Sequence, residues 1–462
     1  MSSDLTDTPL VLIPEHFGSL VFDHRTSKYL PFDTETTELL LQLCSEPFGT
    51  VLAKTDDIEH REQLIRFFEH FYSLGFFTVD LRFAGRVLDV EPPADHLVGP
   101  LAVHLEVVAA CNLRCLHCFA GELPRKERAL TLDELDRLFA DMVGMGSFRL
   151  GLTGGEPLLR RDLFEIIDLA TAHGLCPCVT TNGLRITDEI AREFGKRQLV
   201  WLNVSLEGAS AATNDPIRGA GTFDQVLQRL DILRQHSHFT LAFTLMSTNV
   251  HEVAACAELA YRVGADTAVF RPLYPVGIAR EHLDLMPTFP QYSDALTILS
   301  SGQGSTIKSY ELCSIDPFSP LARRESEGRI FPHLGCGAGN TVCSISLSGD
   351  VNPCSFLGPE YVAANLRERS LPEIWNASRG FCSIRSLPDG ESTGGATFSG
   401  GCRARALVLN GSINAPDPWI EASAGTSNSA APVGPATPWH PLAVVEIARM
   451  RPTPPTVEAI SL

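Results

Sequence analysis

Residues 107–119 read VVAACNLRCLHCF and bring three cysteines, Cys111, Cys115 and Cys118, within eight residues of each other. The spacing is C-x3-C-x2-C, and it follows an apolar run that is typical of a buried strand. Three close thiolates without a fourth favour a [4Fe-4S] cluster that leaves one iron open to a non-protein ligand. A structural zinc site would need four protein ligands, usually as two pairs. The plainer alternative is a buried cluster of small apolar side chains.

Composition limits the classes of protein to consider. A chain of 462 residues is expected to form roughly two to four domains. The net charge of -18 argues against nucleic acid or an anionic membrane as a partner, because both need a basic face. No apolar run reaches the roughly 18–20 residues that span a bilayer, and the first residues do not resemble a signal peptide. We therefore expect a cytoplasmic protein whose thirteen cysteines indicate metal or redox chemistry rather than disulfides. Seven of them are candidate ligands, and the other six are expected to be ordinary core or surface residues.

Residues 1–92 predict a small, winged-helix-like α+β module. Three short apolar runs at 10–13, 19–22 and 29–32 are separated by turn residues, which predicts a β-meander. Segments 34–44 and 58–74 then read as helices, the second with one apolar face. The stretch 83–100 contains Pro92 and Pro93 and reads as connecting chain, with residues 93–100 as the linker proper.

Residues 101–277 alternate strand and helix patterns. Six such units predict parallel strands with helices outside, and the length fits a partial (β/α)6 TIM-like barrel, since a complete barrel needs about 250 residues. The cysteines follow the first strand. Because α/β barrels bind ligands at the carboxyl ends of their strands, that is where a reactive centre is expected. The predicted strands are 101–108, 148–152, 177–181, 199–205, 240–245 and 267–271.

Other strand ends carry residues suited to a ligand. Gly154-Gly155-Glu156-Pro157 follows the second strand, where two glycines permit close backbone approach and a carboxylate or carbonyl can hold a cationic amine. Taken alone, this turn could equally be a surface turn. Arg218 could contact an anionic ligand or form a salt bridge at a helix.

The cysteine motif and this glycine-rich turn together resemble the radical SAM superfamily. The resemblance implies that the open iron binds S-adenosylmethionine, and that reductive cleavage yields a 5'-deoxyadenosyl radical. It implies an external electron donor such as flavodoxin or ferredoxin. It identifies no catalytic residue beyond the cluster. Cofactor contacts are implied at His117, where relatives have an aromatic ring near adenine, and at Gly154, Gly155, Glu156, Pro157, Asn182, Ser205, Arg218 and Arg271.

A second cysteine set follows a connector over residues 278–335. Gly349 and Asp350 predict a hairpin that would bring Cys336, Cys343 and Cys354 together, and a Gly-Gly-Cys-Arg element later adds Cys402. Residues 336–410 resemble the SPASM extension of radical SAM peptide maturases, most closely those of the mycofactocin type. Such extensions usually carry two auxiliary clusters. The positions that would supply the second are not cysteine here: Asp389, Ser392, Phe398 and the neighbourhood of Ile420.

We therefore expect one auxiliary [4Fe-4S] cluster, held by Cys336, Cys343, Cys354 and Cys402, with an electron-transfer or structural role. A four-cysteine zinc site is the alternative. Residues 421–462 are low in charge and rich in small residues, and are expected to be disordered.

The module at 1–92 resembles the leader-peptide recognition domain of pyrroloquinoline quinone biosynthesis, which implies that a peptide strand adds to its sheet edge. The alternative is a cap without a ligand. The expected function is a radical SAM enzyme that modifies a ribosomally made precursor peptide. Alternatives are a radical SAM enzyme for a cofactor or tetrapyrrole precursor, and a non-catalytic iron-sulfur or zinc protein that binds peptide or transfers electrons.

Overall fold

The computed structural model describes residues 9–121, 128–301, 311–314, 336–387, 401–419 and 422. The predicted tail, most of the connector and the three substituted cysteine positions at 389, 392 and 398 lie outside these residues. Two sheets organise the fold: one has four strands, and the other has ten. In the described segments, no helix is both long enough and apolar enough to cross a membrane.

The amino-terminal sheet has the order β3-β2-β1-β4. The predicted meander is confirmed, with β1 pairing antiparallel to β2 and β2 to β3. Strand β4 pairs parallel with β1, in a stretch that the sequence predicted to be connecting chain. That prediction was wrong, because a three-residue strand is too short to show alternation. The elements are β1 Leu10–Glu15, β2 Gly18–Asp23, β3 Lys28–Asp33, α1 Thr34–Ser45, α2 Phe48–Ala53, α3 Ile58–Ser73 and β4 Gly85–Val87.

The six predicted barrel strands are confirmed and pair in parallel in sequence order. Helix α4 (Leu132–Gly144) begins with a capping box, in which the side chains of Thr131 and Glu134 each accept a hydrogen bond from the other's backbone amide. The elements are β5 Ala102–Val108, α4 Leu132–Gly144, β6 Arg149–Gly154, α5 Leu163–Ala172, β7 Cys176–Thr181, α6 Asp188–Gly195, β8 Trp201–Leu206, α7 Ala211–Arg218, α8 Thr222–Leu233, β9 Thr240–Leu245, α9 Val253–Arg262, β10 Thr267–Pro272 and α10 Phe289–Ser301.

Two further strands extend the parallel sheet at its edges. Strand β11 (Glu311–Ser314) pairs with β10, and β12 (Val342–Ile345) pairs with β5. The predicted hairpin around Gly349 is present, because β12 turns back antiparallel into β13. The carboxyl-terminal extension therefore continues the barrel sheet. The remaining elements are β13 Asp350–Asn352, β14 Ala364–Asn365, α11 Leu371–Ala377, α12 Arg379–Arg385 and α13 Arg403–Asn410.

Each barrel strand alternates between an apolar and a polar face. On β8, for example, Leu202 and Val204 belong to the main hydrophobic core, whereas Asn203 does not. Alternate side chains of a strand point to opposite faces, so the apolar set packs under the helices and the other set faces the barrel interior. That interior set is polar and includes His104, Arg149, Cys178, Asn203 and Arg271. The inner face of the barrel sheet is therefore largely polar.

The amino-terminal module packs against the amino-terminal ends of the barrel strands. The Tyr29 hydroxyl donates to the Gly146 carbonyl at 2.9 Å and accepts from the Phe148 amide at 2.8 Å. Phe22 stacks on Phe148 with ring centroids 4.8 Å apart. Arg149 Nε, at the start of β6, donates to the Ser27 carbonyl at 2.7 Å. The module thus lies at the end of the barrel opposite to the cysteine loop.

Glu15 is buried near this contact, and its ionisation makes the stability of the docked module depend on pH. Its side chain accepts the Val98 amide at 3.2 Å. Burial raises the pKa of Glu15 to about 8, against the smaller lowering effect of that hydrogen bond. Between pH 4.5 and about 8, the Glu15 carboxyl is protonated in the folded protein and ionised in the unfolded chain. Stability is therefore lost as the pH rises from the unfolded pKa through the folded pKa.

We expect Glu15→Gln to raise the melting temperature at pH 8 and to change it much less at pH 5, because the amide keeps the acceptor and cannot ionise. Thermal melts of the two proteins at both pH values check this. Equal shifts at the two pH values would show that ionisation of Glu15 does not control the docking.

Candidate metal and cofactor site

The cysteine loop follows β5 and is held from two sides. The Leu116 amide donates to the carbonyl of Ile217 at 3.1 Å, and the Ile278 amide donates to the carbonyl of Cys118 at 2.8 Å. These bonds tie the loop to α7 and to the turn after β10. The loop borders a cavity of about 280 Å³, close to the lower end of the size range for cofactor pockets. Its lining residues are Cys111, Leu113, Arg114, Cys115, Cys118, Gly121, Gly155 and Ile278.

The two glycines after β6 allow the backbone to cross the end of β5. Gly154 has φ +139°, and a Cβ there would lie 2.2 Å from the Val108 carbonyl oxygen. A Cβ on Gly155 would lie 2.2 Å from the Ala110 carbonyl oxygen. The Gly155 amide instead donates to Val108 at 2.7 Å. A side chain at either position would push this turn away from Cys111, so glycine is required for the shape of the cavity.

Glu156 joins the ends of β6 and β7. Its fully buried carboxylate accepts from the Thr181 hydroxyl at 2.7 Å, the Asn182 amide at 2.7 Å and the Leu158 amide at 3.0 Å. Burial raises the pKa of Glu156, and these three hydrogen bonds oppose the rise. Because the protein already supplies three donors, the carboxylate shapes the turn, and a cofactor amine would meet the backbone carbonyls of the turn.

Two neighbouring predicted residues also have local partners. Pro157 is buried and begins the 3-10 turn Pro157–Leu159. The Asn182 side chain donates to Asn112 Oδ1 at 2.7 Å and lies 4.0 Å from Cys111 Sγ. Asn182 therefore positions the cysteine loop. Ser205, near the end of β8, is half-buried and on the strand face that points into the barrel interior.

Glu207, a central charge of the site, was not among the residues predicted from the sequence. Glu207 Oε1 lies 3.0 Å from His117 Nε2 and 3.1 Å from an Arg218 terminal nitrogen. Its other oxygen accepts the Thr244 amide at 2.9 Å. Burial alone would raise the pKa of Glu207, but His117 and Arg218 together hold it below its ordinary value. The available signal was an acidic residue two positions after the predicted end of the strand at residue 205.

His117 and Arg218, both predicted to contact the cofactor, form one charged cluster with Glu207. Arg218 forms the salt bridge that was one of its two possible roles, yet its Nε has no hydrogen-bond partner. His117 Nδ1 is likewise buried without a partner. Burial raises the pKa of Cys115 to about 11, and Arg218 opposes this. Such a thiol stays protonated at neutral pH unless a metal displaces the proton. Three thiols line the cavity, and His117 and Arg218 beside the cysteine loop each have an unpartnered nitrogen; this set fits a cluster with a polar ligand.

The second cysteine set is only partly assembled. Cys336, Cys354 and Cys402 belong to one small buried cluster. Cys343 instead lies on β12 in the main hydrophobic core, fully buried. Three of the four predicted ligands thus share one cluster, and metal binding by all four stays a prediction.

A buried ion pair fixes the position of Cys402. Asp417 accepts the Cys402 amide at 2.7 Å and forms a bidentate pair with Arg405, whose Nε and terminal nitrogen lie 2.8 and 2.7 Å from it. Both side chains are fully buried. The Arg405 guanidinium also lies 3.7 Å from the ring centre of Trp419. None of these three residues was predicted from the sequence.

Aromatic rings connect the two cysteine sets. Phe119 directly follows Cys118, and Phe356 follows Cys354 by two residues. Their ring centroids are 5.6 Å apart, and Tyr274 stacks on Phe356 at 4.4 Å. The two sets are therefore close neighbours at the carboxyl end of the barrel.

Comparisons with known proteins agree with this architecture. A model of the radical SAM superfamily matches residues 105–260, and a model of an iron-sulfur cluster-binding domain, SPASM, matches residues 336–396. The chain belongs to the radical SAM superfamily, in the group that carries a SPASM domain. It is thus an enzyme of a family that binds a [4Fe-4S] cluster, S-adenosylmethionine and auxiliary iron-sulfur clusters.

The alignments with individual relatives cover most of the length of those proteins. The mycofactocin maturase MftC of Mycolicibacterium smegmatis is 31% identical over 335 residues, 70% of this chain and 83% of that protein. The AdoMet-dependent heme synthase of Methanosarcina barkeri is 32% identical over 341 residues, 70% of this chain and 96% of that protein. The crystal structure of Streptococcus suis SuiB bound to precursor peptide SuiA matches with TM-score 0.65 and 16% identity, covering 88% of this chain and 97% of that one.

Proposed function

We propose that this enzyme modifies a ribosomally made precursor peptide, and that its amino-terminal module binds the leader segment of that peptide. The observation that carries the proposal is an open β-sheet edge on a module that is docked to a radical SAM barrel. The similarity to SuiB, whose structure was solved with a precursor peptide, supports it, as does the similarity to a mycofactocin maturase.

The edge in question is strand β3. It pairs with β2 on one side and ends the four-stranded sheet on the other, within the described residues. Pro31 lies within β3 and has no backbone N–H, so an added strand would pair with the other residues of β3. An edge strand offers backbone donors and acceptors to an added peptide strand. Leu30 and the nearby Phe67 of α3 are half-buried, so they can supply apolar contacts to peptide side chains.

For the barrel, we propose that Cys111, Cys115 and Cys118 hold the cluster that binds S-adenosylmethionine. When bound, that cofactor supplies a 5'-deoxyadenosyl radical that abstracts hydrogen from the peptide. The residues of this chain bind and orient the cofactor. The carbonyls of the 154–157 turn would receive its amine. Residues proposed to contact the rest of the cofactor are His117, Asn182, Ser205 and Arg218.

We assign one auxiliary [4Fe-4S] cluster to Cys336, Cys354 and Cys402, with Cys343 as the fourth ligand. A closed set of four thiolates suits electron transfer or a structural role. A flavodoxin or ferredoxin would supply the electrons, and the reducing cytoplasm is the compartment that fits these clusters and free thiols.

A change at the sheet edge should separate peptide binding from cofactor chemistry. We expect Leu30→Glu to weaken binding of the precursor peptide about tenfold or more, because an acidic side chain replaces an apolar contact beside the added strand. Fluorescence anisotropy with a labelled precursor measures this. Val79→Glu is the matched control, because Val79 is 92% exposed and lies outside β3 and α3. Equal losses in the two variants would place the leader site elsewhere.

The decisive experiment is mass spectrometry of small peptides encoded beside this gene, each co-expressed with the enzyme. Loss of two hydrogens would indicate a crosslink, and loss of carbon dioxide with two hydrogens an oxidative decarboxylation. If the purified enzyme cleaved S-adenosylmethionine but left every such peptide unmodified and unbound, the proposal would be rejected.

A second candidate is a tetrapyrrole precursor as the substrate. It is favoured by the similarity to an AdoMet-dependent heme synthase over 96% of that protein. Binding of a porphyrin by the purified enzyme, followed by absorbance, would support this candidate, provided that no peptide binds to the module.

A further inference from the structure

Arg385, the last residue of α12, is a half-buried cation without a carboxylate partner among the described residues. Its Nε donates to the Gly339 carbonyl at 2.8 Å, and its Nη1 donates to the Trp375 carbonyl at 2.8 Å. Its Nη2 is buried and has no hydrogen-bond partner. By contrast, the buried Arg405 pairs with Asp417 at 2.7 Å. A guanidinium withdrawn from water without an anion is costly, so the surroundings of Arg385 lack a negative group.

One backbone amide joins the segments that carry two of the predicted auxiliary cysteines. The Gly339 amide donates to the Pro353 carbonyl at 2.9 Å and to the Val342 carbonyl at 3.1 Å. These carbonyls belong to the peptide bonds that lead into Cys354 and Cys343. The backbones of the two cysteines therefore lie close together, although the cysteines belong to different buried clusters.

Arg385 is attached to this same turn through the Gly339 carbonyl. Two hydrogen bonds therefore connect its guanidinium with the peptide bond that precedes each of these cysteines. Ile384, the neighbouring residue, packs in the buried cluster that contains Cys336, Cys354 and Cys402. These contacts place the charge of Arg385 on the order of 10 Å from the predicted four-thiolate site.

Contacts with Trp375 explain only part of this arrangement. The Arg385 guanidinium lies 4.3 Å from the ring centre of Trp375, which is a favourable cation–π distance. This contact and the two carbonyls leave the charge without an anion and Nη2 without an acceptor. Four thiolates outweigh the positive charge of a [4Fe-4S] core, so a closed cluster at these cysteines would supply the missing anion.

We propose that Arg385 is the counter-ion of the auxiliary cluster and raises its reduction potential. Reduction adds one electron to an anionic site and breaks no bond, so a fixed cation nearby favours the reduced form. The electron would come from the flavodoxin or ferredoxin assigned above as donor. This inference deepens the proposed function and rests on it, because it requires an auxiliary cluster at these four cysteines.

The test is an anaerobic redox titration with dithionite, followed by electron paramagnetic resonance. The reference is the reconstituted full-length chain with Cys111, Cys115 and Cys118 changed to alanine, so that only the auxiliary cluster gives a signal. At the midpoint potential of this reference, we expect Arg385→Gln to lower the ratio of reduced to oxidised cluster about tenfold, because one nearby unit charge is lost. For a one-electron couple, that ratio corresponds to about 59 mV.

Two further variants separate charge from packing. Arg385→Lys retains the charge, so it should change the ratio less than about threefold. Arg379→Gln makes the same change at an exposed arginine at the start of α12 and should leave the ratio unchanged. A shift in Arg385→Lys as large as that in Arg385→Gln would show that packing sets the potential, and would overturn the proposal.

Iron content distinguishes failure of this proposal from failure of the cluster assignment. About four irons per chain with an unchanged ratio in Arg385→Gln would overturn the role of Arg385 and leave the cluster in place. Absence of iron from the reference protein would reject the cluster and this proposal together. Neither result depends on finding the precursor peptide, so the proposed peptide chemistry is tested independently.

Arg385→His replaces Arg385→Gln if the glutamine variant does not fold or does not hold about four irons. At pH 8 histidine is neutral and lysine is charged, from ordinary pKa values of about 6.5 and about 10.4. The ratio of reduced to oxidised cluster should then be about tenfold lower in Arg385→His than in Arg385→Lys. Equal ratios in the two variants at pH 8 would overturn the proposal.

Discussion

Cys115→Ala is expected to abolish formation of 5'-deoxyadenosine from S-adenosylmethionine. Loss of an indirect partner of a metal centre typically costs about 10–100-fold, so loss of a direct ligand should cost at least ~100-fold. Cys115 lies in the wall of the cavity beside Cys111 and Cys118. The dithionite-reduced, reconstituted protein is assayed by chromatography, and its iron content should fall by about four per chain.

Cys44→Ala is the matched control, because Cys44 is an exposed cysteine on α1, far from the cysteine loop in sequence. It should leave both the iron content and the cleavage rate unchanged. If Cys115→Ala retained wild-type cleavage, the assignment of the radical site to the C-x3-C-x2-C loop would be rejected.

Asp417→Ala is expected to destabilise the extension strongly. Removing one partner of a buried ion pair costs about 3–5 kcal/mol, because the other charge remains buried and unpaired. Arg405 would lose both bonds to Asp417, and the Cys402 amide would lose its acceptor. Anaerobic denaturation with guanidinium measures the free energy of unfolding. Asp417→Asn keeps the oxygen acceptor without the charge, so its loss should be smaller.

The same variant tests the auxiliary cluster. The wild type should hold about eight irons per chain, as two [4Fe-4S] clusters, and Asp417→Ala about four. Glu62→Ala removes an exposed ion pair with Arg66 and should change neither quantity. About twelve irons in the wild type would contradict the single auxiliary cluster, and an unchanged iron content in Asp417→Ala would show that Cys402 needs no support from Asp417.

Much of the fold could be predicted because local patterns and tertiary packing agree. The spacing of apolar residues indicates the six alternating strand and helix units. The capping box at Thr131 and Glu134 marks where α4 begins. The close approach at Gly154 and Gly155 was expected from two adjacent glycines after a strand. These features depend on neighbours in sequence.

The parts that could not be predicted depend on pairing between distant segments. Strand β12 pairs with β5 across more than two hundred residues, and neither segment contains a sequence signal that identifies its partner strand. The partners of Glu207 are ten residues away or more, on the cysteine loop and on α7. Cys343 belongs to the main hydrophobic core because of this same pairing, which sets it beside Val103 of β5.

The docking of Tyr29 at the amino-terminal end of β6 has a consequence for the length of the substrate. Strand β6 has six residues, which corresponds to about 20 Å at roughly 3.3 Å per residue. A precursor that is held at β3 must pass along this height before it reaches the cysteine cavity at the other end. With the leader bound at β3 as proposed, a segment of at least about six extended residues would separate it from the modified position. The height of the barrel would then determine which residue is modified, by fixing its distance from the leader.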